Sequence, residues 1–128
     1  MYQRCEEVKM KVAINRCFGG FGLSDEGFEE LLERKGILFE YVKNESKFMG
    51  NTYYRAGHIG EEKHYLSPWE FTKDRTDYDL IAVLEEMGNK AWGFAAEIAI
   101  IHIPDDVKWH ISEYDGLEHV AEDHRTWQ

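Results

Sequence analysis

The chain is expected to fold as α+β: a mixed, largely antiparallel sheet with two helices on one face and a C-terminal β-hairpin. Three observations predict it. An apolar run, Val12-Ala13-Ile14, breaks at a glycine-rich turn and is followed at once by a helix start. Two amphipathic helical patterns stand well apart in the chain, opening near Ser24 and near Thr76. After the second, the alternation of strand and helix stops and strand signals alone run toward the C-terminus, which argues against a doubly wound sheet. The 128 residues read as one domain, 1–128, and suffice for one real core.

Residues 1–9 are a polar lead-in. A first strand is expected over 11–17. Ser24 suits an N-cap, because its hydroxyl can accept an orphan backbone N–H. Leu23 and Phe28 occupy the two positions of a hydrophobic staple, Phe28, Leu31 and Leu32 form one helical face, and Gly36 suits the residue just past the helix end. A second strand is expected over 37–42. Across 43–75, Phe48, Tyr53, Tyr54, Tyr65, Trp69 and Phe71 are scattered among glycines and charges, and short strands and loops, a flap among them, are the reading.

Thr76 or Asp77 caps the second helix, which buries Leu80, Ile81, Val83, Leu84 and Met87 and ends at Gly88 or Gly93. The stretch 97–103 is apolar on both faces and reads as a central strand. Pro104-Asp105-Asp106 turns the chain. Asp115-Gly116 then joins two alternating stretches, 109–114 and 117–122, as a two-residue hairpin turn, and 123–128 is a short tail.

Composition narrows the function. With 25 acidic against 15 basic residues and a net charge of −10, the chain lacks the basic face that a nucleic-acid polymer or an anionic membrane surface requires. A small anion remains compatible, since a local pocket can oppose the global field. Cys5 and Cys17 form neither a CxxC pair nor a disulfide framework, and the charged N-terminus carries no signal-peptide core. Reduced thiols and a cytosolic location, in the cytoplasm of a host cell, are the expectation.

The stretch Asn15-Arg16-Cys17-Phe18-Gly19-Gly20-Phe21-Gly22-Leu23-Ser24 is the first candidate site. Strand, glycine turn and helix start together can aim backbone N–H groups at a phosphate. It matches neither the Walker pattern nor GxGxxG, and Asp25, Glu26, Glu29 and Glu30 load the first helical turns with negative charge. The plainer reading is a tight turn in which Phe18 and Phe21 plug the core.

The tail His124-Arg125-Thr126-Trp127 is the second candidate, because an aromatic plane beside a guanidinium suits a nucleobase and a phosphate. The ligand-binding set is therefore Asn15, Arg16, Phe18, Gly19, Gly20, Phe21, Gly22, Ser24, His124, Arg125 and Trp127. No catalytic residue, cofactor or metal centre is expected, since neither HExxH nor a Cys-His zinc spacing is present.

Hairpin pairing across Asp115-Gly116 puts His110, Ser112 and His119 on one face, where ordinary surface histidines are the favoured reading. It sets Glu113 opposite Glu118 on the other face, which is unfavourable unless a cation or ligand lies between them. Cys17 has no general base nearby in sequence and reads as a small packed residue.

The chain also resembles a family of small uncharacterised proteins carried by bacteriophages and prophages. Three blocks carry the resemblance: 12–24; 75–88, beginning Arg75-Thr76-Asp77-Tyr78; and 103–127, through Glu113-Tyr114-Asp115-Gly116 to His124-Arg125-Thr126-Trp127. Members of that family tend to carry Pro where this chain has Tyr78, which suits a first helical position, and an aromatic residue where it has His119. The resemblance implies a host-takeover or anti-defence accessory.

The expectation from all of this is a homo-oligomeric sponge that sequesters a small anionic nucleotide-like signal of host defence without turning it over. The alternatives are a hydrolase of a nucleotide-like phosphoester and an acidic protein–protein inhibitor of a host defence factor.

Overall fold

Strand β1, Lys9–Asn15, is the strand around which the rest packs. The computed structural model describes residues 9–18, 20–45, 50–104 and 108–122. The lead-in 1–8, Gly19, Phe48, Asp105-Asp106 and the tail 123–128 lie outside the described residues. Val12, Ala13, Ile14 and Asn15 are all buried to 1% exposure or less. β1 pairs antiparallel with β5, Ile98–Pro104, in a register running from Lys9 opposite Pro104 to Asn15 opposite Ile98.

On its other side β1 has no ladder partner among the described strands. The Ala13 N–H donates to the Arg75 carbonyl at 2.9 Å and the Asn15 N–H to Glu118 Oε1 at 2.8 Å. A loop carbonyl and a side chain there do the work of a neighbouring strand. The expected central strand at 97–103 is corrected by this arrangement. β5 pairs with β1 alone among the described strands, and Ile100, Ile101 and Ile103 are only half-buried. In this two-stranded sheet β5 is an edge strand, and β1, buried from Val12 to Asn15, is the more enclosed of the two.

Helix α1, Asp25–Arg34, starts where its signals place it. Ser24 Oγ accepts from the Gly27 N–H at 3.0 Å, and Gly36, at φ 74°, follows the C-terminus. One side of α1 sends Leu31 into a cluster with Ala13, Leu80, Val83 and Ile98; another sends Phe28 and Leu32 into a cluster with Tyr53 and Leu66. Leu23 packs against both clusters, as the staple requires.

α1 approaches the segment after the last helix closely enough that a Cβ on Gly27 would lie 2.8 Å from the Ala91 carbonyl oxygen. Gly27→Ala is expected to cost about 2 kcal/mol through overpacking against backbone, measured by urea unfolding.

The middle of the chain is anchored. β2 (Phe39–Val42), β3 (Thr52–Arg55) and β4 (Tyr65–Leu66) form an antiparallel sheet in that order. A short helix α2, Pro68–Thr72, follows, with Pro at its first position. Tyr53 of β3 is 2% exposed, flanked edge-on by Phe28 and Phe39, and its hydroxyl donates to Glu29 Oε2 at 2.5 Å.

Burial, and then the Glu29 hydrogen bond, raise the Tyr53 phenol above its usual value of 10. A raised group stabilises the fold fully below its unfolded value and loses that contribution as pH rises toward the folded one. Alkaline titration above pH ~10 is therefore expected to destabilise the wild type more than Tyr53→Phe, as read by melting temperature against pH.

Helix α3, Tyr78–Met87, is capped by Asp77, which accepts from the Leu80 N–H at 3.0 Å, and ends at Gly88 with φ 60°. Lys35, at the end of α1, reaches Asp77 and Asp79 at 3.1 and 3.3 Å. Desolvation lowers the Lys35 pKa, but the two carboxylates together outweigh it and leave the ammonium above its ordinary value.

The hairpin β6 (Trp109–Tyr114) and β7 (Leu117–Glu122) has the expected register, with Tyr114 opposite Leu117, Ser112 opposite His119 and His110 opposite Ala121. The α+β class holds, and every described strand pair is antiparallel. Among the described residues, no helix is long and apolar enough to cross a membrane.

Candidate functional site

The end of β1, the loop before α3 and the hairpin tip meet in a buried polar knot. Asn15 is its centre, at 0% exposure. Its Nδ2 donates to the carbonyls of Cys17 at 2.6 Å and Gly116 at 2.7 Å, and its Oδ1 accepts from the Glu97 N–H at 2.9 Å and the Cys17 thiol at 3.6 Å. Every donor and acceptor of the amide is thereby engaged.

Beside it, Arg75 holds Glu118 bidentately at 2.6 and 3.0 Å. It also donates to the Thr72 and Ala13 carbonyls, and its guanidinium lies over the Phe21 ring at 3.8 Å. Arg75 neutralises Glu118, which is buried, and no cation is seen between Glu118 and the exposed Glu113 among the described residues. Glu113 instead accepts from the Gly116 N–H at 3.1 Å.

This knot fixes one wall of an open hollow of about 540 Å³, lined by Phe18, Gly20, Glu113, Asp115 and Gly116. Phe18 is 58% exposed and Tyr114 76%, and the two rings meet edge to face at 6.4 Å. Gly20 adopts φ 99°, and a Cβ there would meet nothing within 4 Å. Two carboxylates, a glycine backbone and exposed aromatic surface thus converge in one place. They suit a planar, aromatic group that carries N–H donors.

The predicted residues divide. Phe18 and Gly20 line the hollow, and Arg16 is exposed two residues before Phe18. Phe21 packs against the core beneath Arg75. The Gly22 carbonyl accepts from the Gly93 N–H at 2.8 Å. Asn15 belongs to the knot.

Ser24 is committed to capping, since its hydroxyl also donates to the Lys90 carbonyl at 2.6 Å and its N–H to Ala91 at 2.8 Å. The start of α1 is therefore closed by the segment after α3 and does not open as a phosphate cradle beside the glycines. Gly19, His124, Arg125 and Trp127 lie outside the described residues. The Cys17 thiol donates to the Ala95 carbonyl at 3.1 Å.

Sequence reasoning missed Tyr114 and the hairpin-tip carboxylates as neighbours of the glycine turn. The signal available was the facing glutamate pair, of which Glu118 takes its partner from a third element.

A second hollow, of about 500 Å³, lies between β1, α1 and α3 and is lined in part by Lys11, Arg34, Tyr78, Ile81, Glu85 and Glu86. Its charged groups are already paired with one another, Lys11 with Glu85 at 2.9 Å and Arg34 with Glu86 at 3.2 Å, and its lining includes no residue of the glycine turn. The hollow at the glycine turn is the better candidate.

No family model, no curated protein and no solved structure matches the chain.

Proposed function

We propose that the protein binds a small nucleotide-like ligand at the hollow between the glycine turn and the hairpin tip, and sequesters it without turnover. The observation that carries the reading is the exposed Phe18–Tyr114 pair above open glycine backbone. A base lies against these rings, and its amino or ring N–H groups donate to Glu113 and Asp115. Arg16, exposed two residues before Phe18, supplies charge for the phosphate side. The resemblance to phage-carried proteins supports a signalling nucleotide of host defence as the ligand class and the host cytosol as the place of action.

The test is to incubate the protein with a panel of cyclic and ADP-ribose-type nucleotides, isolate the complex by native mass spectrometry, then denature it and analyse the released ligand. Retention with the ligand recovered intact is expected. Retention followed by recovery of a cleaved product would make the protein a hydrolase, and no retention across the panel would remove the reading.

A sponge of this size gains from self-association, and we infer that β5 mediates it. The Ala13 N–H points away from β5, so the even residues of β1 face β5 and the N–H groups of Ile98, Ile100 and His102 face outward. This edge has no acidic or basic (Lys or Arg) residue in a chain of net charge −10, so two copies can meet there antiparallel with little repulsion. Light scattering is expected to report a dimer or larger species for the wild type and a monomer for His102→Pro, which removes an outward N–H from an exposed residue and leaves the β1 ladder in place. A monomeric wild type, or an unchanged variant, would contradict it.

A further inference from the structure

The connection between β3 and β4 holds a cluster that the proposed ligand site does not use. Gly57 and Gly60, at φ 85° and 84°, bend it back on itself. Three successive turns then close at a spacing of three residues: the N–H groups of His58, Glu61 and His64 donate to the carbonyls of Arg55, His58 and Glu61 at 3.0, 3.0 and 2.9 Å.

These successive turns bring the side chains of His58, Glu61 and His64 together. The two imidazole rings stack at 3.7 Å, only 19° from parallel. Glu61 lies beside both, with Oε2 3.2 Å from His58 Nδ1 and Oε1 3.9 Å from His64 Nε2. One donor atom from each residue falls within 4.8 Å of the other two.

We propose that His58, Glu61 and His64 form a binding site for a zinc ion. Two imidazole nitrogens and one carboxylate oxygen are a donor set of borderline softness, which suits zinc and disfavours magnesium and calcium. Tetrahedral zinc with bonds near 2.0–2.1 Å sets its ligand atoms roughly 3.3 Å apart, so the three donors, now within 4.8 Å of one another, draw together on binding and the stacked rings turn their edges to the ion.

The rings favour this role over simple protonation. Two imidazolium ions stacked at 3.7 Å would repel, with one carboxylate between them, whereas one divalent ion satisfies both neutral rings and the carboxylate together. Three protein ligands leave a fourth position for water or an external donor. The ion would fasten the loop that carries β3 and β4, and with it Tyr53 and Leu66 of the core.

The spacing His-x2-Glu-x2-His was visible in the sequence, but it fits no helical zinc motif. Its meaning depends on the three-residue turn geometry, which the two glycines create.

The test is calorimetric titration of the full chain with zinc chloride, beside His58→Ala, His64→Ala and the double variant, with magnesium chloride as the control cation. The side chains of His58, Glu61 and His64 are 42%, 51% and 26% exposed, so these substitutions leave the core intact, and circular dichroism checks that. One zinc per chain is expected for the wild type, with that binding lost in the double variant and no saturable magnesium binding. Ring-nitrogen NMR shifts on adding zinc are expected at His58 and His64. Absence of stoichiometric zinc binding, equal binding by the double variant, or ring shifts confined to other histidines would overturn the proposal.

Discussion

Replacing Arg75 by Ala is expected to lower the free energy of unfolding by about 4 kcal/mol, because it strands a buried carboxylate. Glu118 is 8% exposed, and its two oxygens rest on the Arg75 guanidinium at 2.6 and 3.0 Å. Without that guanidinium, Glu118 keeps only the Asn15 N–H among the bonds described above. The Thr72 and Ala13 carbonyls lose a donor, and the Phe21 ring loses its cation.

Arg75→Lys is not a rescue, since an ammonium cannot span both carboxylate oxygens and two carbonyls. Removing both partners together, with Arg75→Met and Glu118→Leu, is expected to cost less than Arg75→Ala alone, because no unpaired charge is left. Urea unfolding followed by fluorescence gives all three values, and a double variant less stable than the single one would contradict this account.

Asn15→Ala is expected to cost about 3 kcal/mol, by stranding several buried backbone groups at once. The Glu97 N–H and the Cys17 and Gly116 carbonyls all rely on its amide. Asn15→Asp keeps an acceptor for Glu97 but turns the two donors into acceptors that face carbonyl oxygens, so it is expected to be no better than Ala. These substitutions separate two roles for the residue. Were Asn15 a ligand contact alone, unfolding would be unchanged and only binding would fall; a stability loss of the expected size makes it the post that holds the hairpin tip against the glycine turn.

Local signals placed the elements well where one short stretch determines the answer. Ser24 caps because its hydroxyl sits one residue before a helix, and Asp115-Gly116 turns because both residues take positive φ, 52° and 88°. What was not legible depends on partners far apart in the chain. β5 read as a central strand because apolar faces report burial, whereas edge or centre is decided by what lies beside a strand. The Arg75–Glu118 pair spans 43 residues, and the facing glutamates hinted at a cation between them, not at a partner for Glu118 alone.

The candidate site divided for the same reason. Phe18 and Phe21 are three residues apart and look alike in sequence, yet one is held beneath a guanidinium and the other stands in solvent. Ser24 and Asn15 looked available because the segments that occupy them, 90–91 and 116–118, come from the other half of the chain.

The central claim is that the rings beside Gly20 hold a base, and calorimetric titration of the nucleotide panel into the wild type and Phe18→Ala tests it most directly. Stacking on one aromatic side chain contributes about 2 kcal/mol, so a ligand that binds the wild type should bind Phe18→Ala roughly thirtyfold more weakly at unchanged stability. Equal affinity for the two proteins, or no heat from any nucleotide with the wild type, would contradict the account.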